Sequence, residues 1–330
     1  MSISENVFLT SEMDFGLDLL RWAAVDESLV VSPASIIFAL TVIQAGANCQ
    51  TKAQLNSVLC KGASDLEIRH HYSKLVMNIS EAKSGVQSMI ANGFFMEKFV
   101  PNRRSRNRES IPWIHFRIRE AMVAFGLHSL IINAVYFCAE WEHKFSRKES
   151  RKAKFHSSKE ASREVVYMRT EEAQRFYAEN KDMKVLSLQY TDSNYAFSIL
   201  LPKKRFGLNA LRNKLSGEKI LKILAELKLT NVSVAIPKLK IESNFMLKPA
   251  LISMNVTEIF TKNAHLSGIV KSPHLYISDA NHRAIIEMDE ESTTAAAATS
   301  TKMSYKSLKS ELKAFLANHP FIFVVTMSSH

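Results

Sequence analysis

The chain has 330 residues and a mass of 37.3 kDa, which leaves room for one large domain or two ordinary ones. Its 46% hydrophobic and 23% charged shares exclude disorder, collagen and coiled coil, and no run reaches the roughly 18 apolar residues of a membrane span. The formal net charge is +11, from 43 basic against 32 acidic residues.

Periodicity predicts a helix over residues 12–24, with Met13, Leu17, Leu20 and Ala24 on one face. Ser32-Pro33 reads as a cap followed by proline at the first helical position. The helix that follows, 34–45, is apolar nearly all round, as a helix buried beneath a sheet would be. Gly46-Ala47-Asn48 ends it, and Thr51 is placed to cap a helix over 52–59. Residues 86–96 read as a strand interrupted by Asn92-Gly93, and residues 130–138 as a strand apolar on both faces, hence central in a sheet. Strands 185–190 and 195–201 flank a four-residue polar turn, a strong hairpin signal. An amphipathic helix is expected over 208–228, strands over 232–241 and 274–288, and a short helix near 246–254 between them. Helices and strands mix without strict alternation, so the expected class is α+β, in a single domain spanning 1–330.

Few chemistries have the residues they need. The nine glycines build no phosphate-binding or nucleophile-elbow motif, there is no H-E-x-x-H, and the eleven histidines are dispersed apart from the adjacent His70-His71. An enzyme is not expected, nor a cofactor, nor a metal. Cys49, Cys60 and Cys138 form no C-x-x-C and read as small buried apolar residues. The first 25 residues carry Glu5, Glu12, Asp14 and Asp18 and resemble no secretory leader, so the expected compartment is the cytoplasm. Two basic clusters stand out: Arg103, Arg104, Arg106, Arg108, Arg117 and Arg119, then Lys144, Arg147, Lys148, Arg151, Lys152 and Lys154. A polyanion site and a solvated face are both open readings, and no nucleic-acid motif accompanies the charge, so specific nucleic-acid binding is not expected.

One segment lacks the bulk a core requires. Ser292 to Thr301 are ten consecutive small residues that leave a strand pattern through an acidic run. Small side chains suit an exposed loop. They also suit a segment that slips between strands, where bulky or charged residues would clash.

Motifs spread through the chain resemble those of the serpins. Val31-Ser32-Pro33-Ala34-Ser35 with Gly46-Ala47 is similar to the start of the family's buried helix. Asn133-Ala134-Val135-Tyr136-Phe137, with Trp141 and Phe145, is similar to its central strand. Phe197 to Pro202, Ile236-Pro237-Lys238, His282-Arg283-Ala284 through Glu290-Glu291, and His319-Pro320-Phe321-Ile322-Phe323 follow in the family's order. The resemblance implies three β-sheets, about eight or nine helices and an exposed reactive loop, here within 290–319. It implies a suicide substrate for a serine or cysteine protease: the protease is acylated by the loop, which then inserts into the large sheet. The molecule would be a monomer, off the membrane, for which loop-sheet linkage between molecules is a hazard. The absent leader marks it as resembling intracellular members, although the family association also admits extracellular ones.

Positions transfer one by one. The hinge would be Glu290, Glu291, Ser292, Thr293, Thr294, Ala295, Ala296, Ala297, Ala298 and Thr299. Counting sixteen residues on from Glu290 by the family's spacing reaches Lys306, so the reactive bond would be Lys306–Ser307, with Lys302 and Lys309 as rivals. A lysine there predicts a trypsin-like target. Ser32, Ser35, Asn133 and His282 would form the polar cluster that controls sheet opening, and Trp141 would mark the point of first insertion. Three departures qualify the match: Ser292 stands at a position usually held by glycine, residues 99–129 are short and arginine-rich where the family has helices and an edge strand, and a further buried strand usually follows 321–325. A relative that no longer inhibits is the alternative.

Overall fold

The computed structural model describes residues 3–24, 27–80, 85–97, 116–121, 129–269, 275–290 and 312–327. Four helices open the chain: α1 (Ile3–Trp22), α2 (Pro33–Gly46), α3 (Cys49–Leu59) and α4 (Asp65–Ser80). Ser32 caps α2, its Oγ accepting from the Ser35 N–H at 3.4 Å, and Pro33 supplies the first turn. With Ile36, Ile37, Leu40 and Ile43 all buried, α2 packs on its three neighbouring helices and on the sheet above. The cap of α3 differs from expectation. Asn48 stands at the N-cap, while Thr51 is buried one turn inside and accepts from the His265 N–H at 3.0 Å. Cys49 is exposed at φ 50°, so only Cys60 and Cys138 are the buried thiols that all three were expected to be. The expected elements include nothing at α4, whose Ile68 and Tyr72, one turn apart, are buried against the helical core.

The strands β1 (Val86–Glu97), β2 (Phe116–Ala121) and β3 (Ser129–Ala139) come next. β1 runs through Asn92-Gly93 without a break, because both residues keep their register with Asn133 and Ile132 of β3. β2 corrects the reading of 99–129: it pairs parallel with β1 from Asn92↔Phe116 to Glu97↔Ala121, as an edge strand of the sheet. The alternation Phe116-Arg117-Ile118-Arg119 is itself a strand period, hidden among the arginines. Arg103, Arg104, Arg106 and Arg108 lie outside the described residues.

Then follow β4 (Arg151–His156), β5 (Ser162–Glu179), β6 (Met183–Gln189) and β7 (Tyr195–Pro202). The β6–β7 turn is an Asx turn, with the Asn194 N–H donating to Asp192 Oδ1 at 3.1 Å. The single helix expected over 208–228 is two, α5 (Leu208–Lys214) and α6 (Gly217–Ala225), and Lys228 already begins the strand β8 (Lys228–Pro237). Ser216 causes the break by capping α6, its Oγ accepting from Lys219 N–H at 3.3 Å. The strand expected over 232–241 ends in β8 at Pro237, which cannot donate to a ladder, and β9 (Leu239–Met246) begins a different sheet. The chain finishes with α7 (Leu247–Ser253), a 3-10 turn at Glu258–Phe260, β10 (Asp279–Met288), β11 (Lys313–Leu316) and β12 (Ile322–Met327).

A five-stranded sheet has the order β2-β1-β3-β10-β9, and a seven-stranded ladder the order β11-β8-β5-β6-β7-β12 with β4 on β5. The second and third sheets of the expectation share the long β5, whose register with β8 shifts between Thr170 and Ala173, so they form one hydrogen-bonded ladder. The class is α+β, with seven α-helices and one 3-10 turn among the described residues.

The five-stranded sheet faces two cores with one surface. Ile131 and Ala280 pack into the helical core of α1–α4, while Phe137, Ala284 and Ile286 pack against Phe197 and Ile199 of the second ladder. Elsewhere α6 approaches α1 so closely that a Cβ on Gly217 would lie 2.3 Å from the Thr10 carbonyl oxygen, while Gly217 N–H donates to Asp14 Oδ1 at 2.6 Å. Gly217→Ala should therefore push the two helices apart and cost about 1–3 kcal/mol. The check is a lower urea midpoint at an unchanged m value; an unmoved midpoint would mean the contact yields freely.

Candidate functional site

Successive rungs on the buried face of the large sheet read Phe94–Ile131–Ala280, then Asn92–Asn133–His282, then Ile90–Val135–Ala284, across β1, β3 and β10. One rung is polar between two apolar ones. The N-terminus of α2 meets that rung. Ser32 N–H donates to His282 Nε2 at 3.0 Å, which makes Nε2 the acceptor and leaves the ring proton on Nδ1, against Asn133 Oδ1. The Asn133 amide in turn donates to Ser35 Oγ at 2.6 Å, to the Ser35 carbonyl at 3.1 Å, and to Asn92 Oδ1. Ser35, Asn92, Asn133 and His282 are all buried. Burial pushes the His282 imidazole down to about 4, so the ring is neutral and can accept the Ser32 N–H.

The β3–β10 pair is parallel and central, and its register stops at Phe137↔Ile286. On their outer sides the same strands stay paired further, β3 with β1 to Ala139↔Val86 and β10 with β9 to Met288↔Leu239. The ladder between β3 and β10 therefore ends early.

Trp141 sits just past the end of β3. It is buried, stacks on Tyr190 at 4.6 Å, and donates its indole N–H to the Asp289 carbonyl at 2.7 Å. Glu290, the next residue, is 2% exposed. Lys238 Nζ lies 2.6 Å from its carboxylate, Ser150 Oγ donates to it at 2.5 Å, and its carbonyl accepts from Phe145 N–H at 3.2 Å. Burial opposes ionisation of Glu290, but the hydrogen bonds from Lys238 and Ser150 outweigh it and hold the carboxyl below the usual carboxylate range.

Of the residues named from the sequence, Ser32, Ser35, Asn133 and His282 meet in one cluster, and Trp141 meets the backbone beside Glu290. Glu291 to Thr299, Lys302, Lys306, Ser307 and Lys309 lie outside the described residues. Sequence reasoning missed three partners. Asn92 stood in what read as a strand break, Lys238 was noticed only as part of a motif, and Ser150 gave no signal. The second basic cluster occupies an exposed turn and β4, with Lys144 paired to Glu140 at 3.2 Å.

A family model described as Serpin (serine protease inhibitor) matches residues 10–105 and 118–330. The chain belongs to the serpin family. Human Serpin B3 is 27% identical, over 91% of this chain and 90% of its own length. Human plasma serine protease inhibitor is 25% identical, over 98% of this chain and 88% of its own. In fold, human thyroxine-binding globulin superposes with a TM-score of 0.86 at 19% identity, covering 98% of this serpin and 96% of itself. The match passes over 106–117 and resumes inside β2, which agrees with the edge strand being a genuine part of the sheet. Among the described residues of this serpin, no helix is long and apolar enough to cross a membrane.

Proposed function

We propose that this serpin inhibits trypsin-like serine proteases as a suicide substrate, with residues 1–330 acting as one monomeric unit. The observation that carries the reading is the early end of the β3–β10 ladder, directly beside the point where the chain leaves β10. A segment turning back from Glu290 would run antiparallel to β10 and, placed between β10 and β3, antiparallel to both. One parallel pairing would be exchanged for two antiparallel ones, which are stronger per residue.

In this reading the protease serine attacks the Lys306 carbonyl carbon. The bond to Ser307 breaks, its nitrogen leaves as the protonated amine, and Lys306 stays esterified to the protease. The hinge from Glu291 to Thr299 then enters the sheet, with only small side chains from Ser292 onward to pass the polar rung. Separating β3 from β10 breaks the Asn133–His282 contact, so the cluster holds the gate. Inhibition is a race between insertion and ester hydrolysis.

Mixing the protein with trypsin at near-equal amounts should give a complex of summed mass that survives boiling in detergent. Lys306→Ala should slow its formation at least about 100-fold, since the specificity pocket loses its charged partner. Ser292, where the family carries glycine, favours slower insertion. A single clip near Lys306 with no complex would replace inhibition by a substrate-like relative, and a full-rate complex from Lys306→Ala would move the reactive bond to Lys302 or Lys309.

A further inference from the structure

The second basic cluster lies beside the point where the proposed bait begins. Ser150 and the Phe145 N–H hold Glu290, and Ser150 stands inside the run Arg147-Lys148-Glu149-Ser150-Arg151-Lys152-Ala153-Lys154. Arg147, Lys148, Arg151, Lys152 and Lys154 are all exposed. Arg151 braces the turn, donating to the Ser150 carbonyl at 2.9 Å and to the Lys148 carbonyl. Among the described residues no carboxylate pairs with Lys148, Lys152 or Lys154, whereas Lys144 is paired with Glu140 and Lys238 with Glu290. Guarding the edge of β4 against further pairing needs charge on the strand alone. Here the turn before the strand is cationic too.

The other end of the bait returns to the same ladder. Its strands run β11-β8-β5-β4 here, since Tyr167 of β5 pairs with Pro237 on one side and with Arg151 on the other. Three strand spacings, about 14 Å, separate β11 from β4. Lys306 stands seven residues before Lys313 in the sequence. That length of chain reaches at most about 25 Å, so a protease engaged at Lys306 is held within that distance of β11. A folded domain of about 200 residues has a radius of gyration of about 16 Å, wide enough to overhang β4.

We propose that Lys148, Lys152 and Lys154, on the turn and strand braced by Arg151, form a second docking surface for the protease and select targets with exposed carboxylates beside the catalytic cleft; this rests on the suicide-substrate reading. Exposed ion pairs are individually weak. A partner already held by the bait, however, meets them at an effective concentration of about a millimolar, so weak contacts add to its binding. A free sulfated polymer has no such tether. Glu149 within the run, and Glu164 opposite Lys154 on β5, also interrupt the continuous cationic track that such a polymer would need.

The test sets the 330-residue protein against two proteases of one cleavage preference, an anionic and a cationic trypsin. Lys148→Glu with Lys152→Glu and Lys154→Glu reverses the surface. Lys61→Glu with Lys219→Glu and Lys262→Glu makes the same change of net charge at exposed lysines elsewhere. With anionic trypsin at low salt, the rate constant for covalent complex formation should fall at least about tenfold in the surface variant and less than about threefold in the control. The difference should vanish in 1 M salt, where the Debye length is about 3 Å, and cationic trypsin should not show it. Docking is read apart from trapping by using anionic trypsin whose nucleophilic serine is replaced by alanine, which the surface variant should bind at least about tenfold more weakly than the control. If active trypsin clips the protein without a stable complex, trapping fails, and this binding difference still decides the docking surface. Equal or absent binding by the two variants would overturn the proposal. So would heparin retention lost only in the surface variant with protease binding unchanged, which would assign these cations to a sulfated polymer.

Discussion

Replacing Glu290 by lysine is expected to destabilise the protein by about 3 kcal/mol or more, the scale for breaking a buried ion pair at one partner. The native carboxylate is 3% exposed in its side chain and holds Lys238, which is itself 38% exposed. Lysine at 290 would set two ammonium groups together and leave the Ser150 hydroxyl without its acceptor. Water at Lys238 softens that cost without removing it. The consequence reaches past stability, because Glu290 is the last anchor before the segment proposed to insert: its carbonyl also takes the Phe145 N–H, and Asp289 beside it takes the Trp141 indole. Loosening it should let that segment enter the sheet unprompted, or enter another molecule's sheet, and high-mass species should grow on mild heating. The paired exchange Glu290→Lys with Lys238→Glu should recover much of the loss in urea melts. If the single variant melts with the parent and stays monodisperse by size exclusion, Glu290 does not latch the hinge.

Where the local chemistry was strong, the fold was legible in the sequence. Ser32-Pro33 announced α2 because a cap and a fixed φ act within two residues, and the 185–201 hairpin was plain because its turn and both strands are contiguous. The misses share one cause: each depended on a partner far along the chain. Asn92-Gly93 looks like a turn in isolation, but a register with Asn133-Ile132 holds it extended. The apolar period through Leu211, Leu215 and Ile220 runs straight across Ser216-Gly217, where only the Ser216 cap and the close approach of α1 break the helix. β2 alternates correctly, yet its arginines drew attention to charge before period. The site follows the same rule. Ser32, Ser35, Asn133 and His282 came through resemblance, since nothing local joins residues about 100 to 250 positions apart, a separation only sheet register closes. Asn92 completes their rung and was invisible until β1 had its register.

The second large effect is a pH dependence. His282 in the folded protein titrates near 4, against 6.5 for the unperturbed ring, because burial disfavours the charged form. The unfolded chain thus takes up a proton that the native state refuses. The stability held by the neutral ring is complete above pH 6.5 and is lost as pH falls from 6.5 toward 4, by about 3 kcal/mol from this one group. Burial lowers His319 as well, so it adds loss of the same sign, whereas Glu290, with its carboxyl held low, contributes only below the normal carboxylate range. His282→Gln separates these terms. Its amide can accept from Ser32 N–H and donate to Asn133 Oδ1 without a titratable proton, so urea stability measured from pH 7 to 4 should fall less steeply in the variant. Protonation also sets a charge on Nε2 against the Ser32 N–H it normally accepts, at the contact that joins β10 to α2. Acid should therefore favour parting of β3 from β10 before global unfolding, and hinge insertion should quicken between pH 6.5 and 4 in the parent but not in His282→Gln. Parallel pH profiles for the two proteins would remove His282 from the gate and leave it a packed core residue.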